Sequence, residues 1–135
     1  MPYLIDSDWV IDHLVGDPKA TRLLEDLTGE GISISIVTYM EAFQGTEREG
    51  DPEVSQARLD VFLEAAPVIA FSPEVARRCA RLREALRREK QRVRARALDL
   101  MVAATALEYD LTLVTRNLDD YSDIPDLKLR RDATA

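Results

Sequence analysis

Several acids sit where packing alone would not put them. Tyr3-Leu4-Ile5 reads as the end of a buried strand, and the run passes straight into Asp6. Glu41 falls in the first turn after a second strand, Asp99 opens an Ala-rich helix, and Asn117, Asp119 and Asp120 follow the last strong strand. Carboxylates about 4 Å apart repel by about 4 kcal/mol at an effective dielectric near 20, so several gathered together must take up protons or bind a cation. The chain holds one histidine, His13, and one cysteine, Cys79, which excludes paired-His and Cys-based metal sites. Oxygen donors alone favour Mg²⁺ or Mn²⁺. An ion held by acids can lower the pKa of bound water and stabilise in-line displacement at phosphorus, so a phosphodiester substrate suits this chemistry.

Each acid also has a plain structural reading. Thr38-x-x-Glu41 has the form of a capping box, in which Glu41 would satisfy a backbone N–H. Asp99 could be an ordinary N-cap, and Asp119, Asp120 and Asp123 could be turn residues. Asp8 and Asp12 lie at or near the first turn of a helix, where solvent and the helix dipole suffice. Trp9 and His13 read as packing or surface residues. Asp6 fits such explanations least, because an acid directly after a core strand needs a partner and no local cation is offered.

The elements that must position these groups alternate between short apolar runs and helical patterns, the signature of an α/β domain with a parallel sheet. Strands are expected at residues 2–5, 32–37, 67–71 and 111–115, with a possible edge strand at 127–129. Helices are expected at 8–15, from Asp17-Pro18 to about Leu27, from Thr38 to Phe43 with an end at Gly45, and through 57–65 after a polar connection at 46–53. Ser72-Pro73 starts a long basic helix with Val75, Cys79, Leu82 and Leu86 on one face, which makes Cys79 a core residue. Residues 99–109 are apolar all round, as a buried helix would be. In an open parallel sheet the carboxyl ends of the strands face one crevice, so acids distant in sequence can converge there.

At 135 residues and 46% hydrophobic content the chain suits a single domain, residues 1–135. It has no run long enough to span a bilayer and no signal-like leader, so a cytoplasmic location is expected, with no membrane partner. The net charge of −7 is uneven. Residues 77–96 carry ten Lys/Arg against two Glu, a local +8 that leaves −15 for the rest. Such a segment is either a solvated Arg-rich helix face or a surface for a polyanion.

The segments LIDSDWVI, ISIVTYMEAFQG, ALDLMVAATALEYDLTLVTRN and DDYSDIPDLKL, in that order and spacing, resemble the PIN-domain family, and within it the VapC-type toxins of bacterial toxin–antitoxin pairs. The resemblance covers nearly the whole chain. It implies a PIN-like three-layer fold with a short, mostly parallel sheet flanked by helices. It further implies a Mg²⁺- or Mn²⁺-dependent endoribonuclease cutting RNA such as tRNA or rRNA, leaving a 3′ hydroxyl and a 5′ phosphate, and silenced by a cognate antitoxin. A homodimer is the expected assembly.

The family's first three acids fall on Asp6, Glu41 and Asp99. Asp6 and Asp99 would be principal ligands, and Glu41 a ligand or water-positioning base. The family's closing segment reads Thr-x-Asn/Asp followed by an acid and an aromatic, which matches Thr115-Arg116-Asn117 and Asp120-Tyr121; here Asp120 would close the metal site, Asn117 would orient water or phosphate, and Asp119 stands behind them. Arg92, Arg94 and Arg96, which lead into Asp99, together with Arg116, are the expected RNA contacts, through phosphates. The same positive surface could dock an antitoxin tail.

Two other readings compete. Asp6-Ser7-Asp8-Trp9-Val10 also matches Asp-x-Asp-x-Val, the opening motif of haloacid-dehalogenase-like phosphatases, in which Asp6 would be the nucleophile. The third is a non-catalytic α/β binding module.

Overall fold

The computed structural model describes residues 2–130. β1 (Tyr3–Ile5) leads through α1 (Ser7–Leu14) and α2 (Pro18–Thr28) to β2 (Ile32–Ser35). α3 (Ile36–Glu47) and α4 (Pro52–Ala65) lead to β3 (Val68–Ile69), and α5 (Pro73–Arg88) and α6 (Ala97–Glu108) to β4 (Thr112–Val114) and β5 (Lys128–Arg130). The five strands form one parallel sheet in the order β3-β2-β1-β4-β5.

Alternation along the strands divides the core into two layers. Leu4 and Leu113 face one way, onto Val75, Cys79, Leu82 and Leu86 of α5 and the Ala-rich α6. Ile5 and Val114 face the other, onto Trp9, Val10, Leu23, Leu24 and Leu27 of α1 and α2 and Leu59 and Phe62 of α4. Helices thus cover both faces, the three-layer arrangement expected from the sequence. Among the described residues no helix is long and apolar enough to cross a membrane.

Several boundaries differ from the sequence reading: α4 already starts at Pro52, capped by Asp51, and others shift for local reasons. β2 stops at Ser35, whose side chain accepts from the Thr38 N–H at 3.0 Å; Ser35, not Thr38, is the N-cap, and Ile36 and Val37 are already helical. α3 then continues through Gly45 to Glu47, with Gly45 packed against Ile11 of α1. The basic segment is not one helix. α5 ends at Arg88, Lys90 takes a positive φ of 60°, and a 3-10 turn at Arg94–Arg96 precedes α6. Arg92 and Arg94 therefore lie on a connection, and Asp99 is the third residue of α6 rather than its cap.

Candidate carboxylate pocket

The strand order reverses between β1 and β4, and the crevice at their carboxyl ends is where the acids gather. Asp6 stands there as the N-cap of α1. Its Oδ1 accepts from the Ser7 N–H at 2.9 Å, and its Oδ2 from the Thr115 hydroxyl, just past β4, at 2.7 Å. Thr115 Oγ1 in turn accepts from the Asn117 N–H at 3.0 Å. Tyr121, 1% exposed, brings its hydroxyl to 3.5 Å from Asp6 Oδ2 and 3.3 Å from Asp99 Oδ1, so one phenol spans the first and third acids.

The electrostatics of these groups run in one direction. Burial pushes Asp6 up from an ordinary 3.8 to about 6, aided by the charges of Asp8 and Asp99 and opposed by the bonds from Thr115 and Ser7. Glu41 is raised by burial and then by Asp99 and Asp8, with the Ser7 hydroxyl favouring its charged form. Asp99 is raised by burial and by Asp120. Tyr121 is held protonated by burial and by Asp6, Asp99 and Glu41. Among the described residues no Lys or Arg forms an ion pair with Asp6, Glu41 or Asp99.

Each anticipated residue has a definite place. The charge of Asp99 acts on Asp6 and Glu41, and that of Asp120 on Asp99, although among the described residues no three acids stand close enough to enclose one ion. Asp120 is half-buried, 3.7 Å from the Arg92 guanidinium. Asn117 is exposed and joins the pocket through its backbone N–H, and Asp119 is exposed. Arg94 is exposed and free of ion pairs among the described residues.

Two of the expected RNA contacts are engaged within the chain. Arg96 is buried and turned inward to Asp123, because its guanidinium finds a full set of acceptors there, so it is not available to a phosphate. Arg116 stacks 3.8 Å over the Trp9 ring and pairs with Asp12 and Asp17, which ties β4's exit to α1. Sequence reasoning assigned Asp8 to solvent and the dipole, yet its charge acts on Asp6 and Glu41. It also gave no role to Ser7, Thr115 or Tyr121 as supports. Only the Thr-x-Asn and Asp-Tyr pattern around residues 115–121 carried a signal for the last two.

The donor chemistry suits a hard divalent cation: carboxylate oxygens at a buried edge, with Asp6, Glu41 and Asp99 each made harder to ionise by burial and by a neighbouring acid, and none of the three ion-paired among the described residues. The family profile described as PIN domain matches residues 3–127. The chain belongs to that family and, within it, to the VapC-type toxins.

It is 32% identical over 127 residues to Ribonuclease VapC19 of Mycobacterium tuberculosis, covering 93% of this chain and 96% of that one. It is 26% identical over 129 residues to the tRNA(fMet)-specific endonuclease VapC of Salmonella typhimurium, covering 96% of each. Among solved structures it is similar to VapBC2 from Rickettsia felis bound to a DNA fragment from the promoter, with a TM-score of 0.84 and 27% identity over 96% of this chain and 98% of that chain. It is also similar to DNA-bound VapBC from Salmonella typhimurium, at 0.85 and 25% over 96% and 97%. Family membership sets aside the phosphatase motif at residues 6–10, as does Asp6 itself, 5% exposed with both oxygens hydrogen-bonded.

Proposed function

We propose that the chain is a Mg²⁺- or Mn²⁺-dependent endoribonuclease, with Asp6, Glu41, Asp99 and Asp120 holding the ion. The observation that carries this reading is the shared Tyr121 hydroxyl, which draws Asp6 and Asp99 together in a pocket where neither acid has an ion-paired partner among the described residues. Bound there, the ion would acidify a water ligand and offset charge on the phosphoryl oxygens.

The protein's own groups have distinct tasks. Thr115 and the Ser7 N–H fix the Asp6 carboxylate, so its lone pairs point in set directions. Glu41, partly exposed and raised in pKa, is suited to take the proton of the attacking water. Asn117, exposed and tied to Thr115 through its backbone N–H, would orient water or a phosphate oxygen. Water attack would leave a 3′ hydroxyl and a 5′ phosphate.

RNA approaches over the connection between α5 and α6, where Arg92 stands at the pocket rim and Arg94 is free, and over the exposed arginines of α5. The Salmonella relative's name points to tRNA as the substrate class, and tRNA or rRNA remains the target proposed here. A cognate antitoxin is the proposed protein partner, as the toxin–antitoxin pairs among the similar structures suggest. The apolar groove of His13, Leu14, Val54, Val61 and Phe62 between α1 and α4 is suited to an apolar helix. The exposed Ile36, Met40 and Phe43 face of α3 is the proposed homodimer contact.

The test is direct. Mixed RNA is incubated with Mn²⁺, with and without EDTA, beside Asp6→Asn. Cleavage lost with EDTA and with the substitution supports the reading, and cleavage indifferent to either rejects it. No cleavage by the unaltered protein leaves a binding module.

A further inference from the structure

Outside the pocket, one buried guanidinium grips the segment that carries its last two members. Arg96 is 4% exposed. Its Nη1 and Nη2 donate to Oδ1 and Oδ2 of Asp123, both at 2.6 Å; Nη1 also donates to the Asp120 carbonyl at 2.9 Å, and Nε to the Arg92 carbonyl at 2.7 Å. The two anchor points on that segment, residues 120 and 123, bracket Tyr121. Arg96 is also the residue from which α6 starts, three positions before Asp99.

We propose that Arg96 and Asp123 are positioning residues for the pocket: their clasp fixes residues 120–123 against the start of α6, so that the Tyr121 hydroxyl stays between Asp6 and Asp99 and Asp120 stays at the rim. The inference rests on the hydrolytic reading above. A role in fold stability alone explains less of the geometry, because a buried ion pair is weak evidence for stability and an apolar pair of similar volume often holds a fold as well. An apolar pair could not direct the Asp120 carbonyl. The planar fork sets that direction, and a lysine at position 96 could not satisfy two carboxylate oxygens and two carbonyls together. Partners one step removed from a metal site commonly change metal affinity by about 10- to 100-fold.

The experiment titrates Mn²⁺ calorimetrically into the unaltered chain, Arg96→Lys, Tyr121→Phe and the double variant, at a temperature where circular dichroism shows each folded. RNA cleavage is followed in parallel. Arg96→Lys should weaken Mn²⁺ binding by about 10-fold or more and lower kcat with the RNA KM unchanged. Tyr121→Phe should weaken binding too, and the double variant should lose less than the product of the single losses, because both act on one hydroxyl. If Arg96→Lys does not fold, Asp123→Asn replaces it with the same expected pattern. Unchanged affinity and kcat in the folded variant, or losses that multiply, overturn the clasp. Unaltered protein that binds no Mn²⁺ overturns the hydrolytic reading along with it.

Discussion

Asp6 and Asp123 are the same residue in opposite circumstances. Asp123 faces the buried Arg96 through two short hydrogen bonds, and its carboxyl is held below the ordinary range by that partner. Asp6 is more deeply buried, receives only neutral donors, and is pushed up to about 6. Where the fold needs a charge fixed, it supplies the counter-charge from its own chain. In the pocket it gathers Asp6, Glu41 and Asp99 and, among the described residues, gives none of them an ion pair; only Asp120 at the rim meets Arg92. That difference separates a structural carboxylate from one kept open for an outside cation.

The contrast can be broken most visibly by activity. Asp6→Asn and Asp99→Asn should each lower RNA cleavage by about 100-fold or more, as removal of a group acting on the reacting atoms commonly does. Asp123→Glu, which keeps the counter-charge to Arg96, should lose far less. Cleavage assays at saturating Mn²⁺ check the order, and equal losses would erase the distinction.

Stability should respond the other way round. Arg96→Met leaves the half-buried Asp123 carboxylate without its charged partner and should destabilise the fold by about 1–3 kcal/mol in urea titration. Asp6→Asn should stabilise it. Asp6 holds its proton more tightly in the folded state, so its ionisation counts against folding increasingly as pH rises from about 4 through about 6, and fully above that. Without divalent ions, the substitution should gain up to about 3 kcal/mol at pH 8 and nothing at pH 4. A gain that does not depend on pH would locate the effect in packing rather than charge. The smallest effect is expected at Glu84, half-buried on α5 and paired with Arg87 and Arg88, where Glu84→Gln should leave the thermal midpoint unchanged.

What the sequence made legible follows from which forces are local. The strands announced themselves because Leu4-Ile5 and Leu113-Val114 must be apolar on both faces of a covered sheet. The helix starts at Pro18 and Pro73 were marked by their caps. Asp6, Glu41 and Asp99 stood out as acids at the ends of such elements. The start of α3 was misplaced because Ser35 and Thr38 are both competent caps, and only the register of β2 against β3 at Ser35 and Ile69 decides between them. Arg96 was misread for a similar reason. An arginine in a basic run looks solvated until the chain returns, 27 residues later, with Asp123 beneath it. Tyr121 is a further case, since its bridging role depends on Asp6, 115 residues away.

The measurement closest to the central claim is the thermal midpoint of metal-free protein at pH 7 as Mn²⁺ is added, compared with Asp6→Asn. A pocket left open for a cation predicts a midpoint that climbs with Mn²⁺ in the unaltered chain, returns on EDTA, and barely moves in the variant. Equal climbs in both proteins, or none in either, would contradict it.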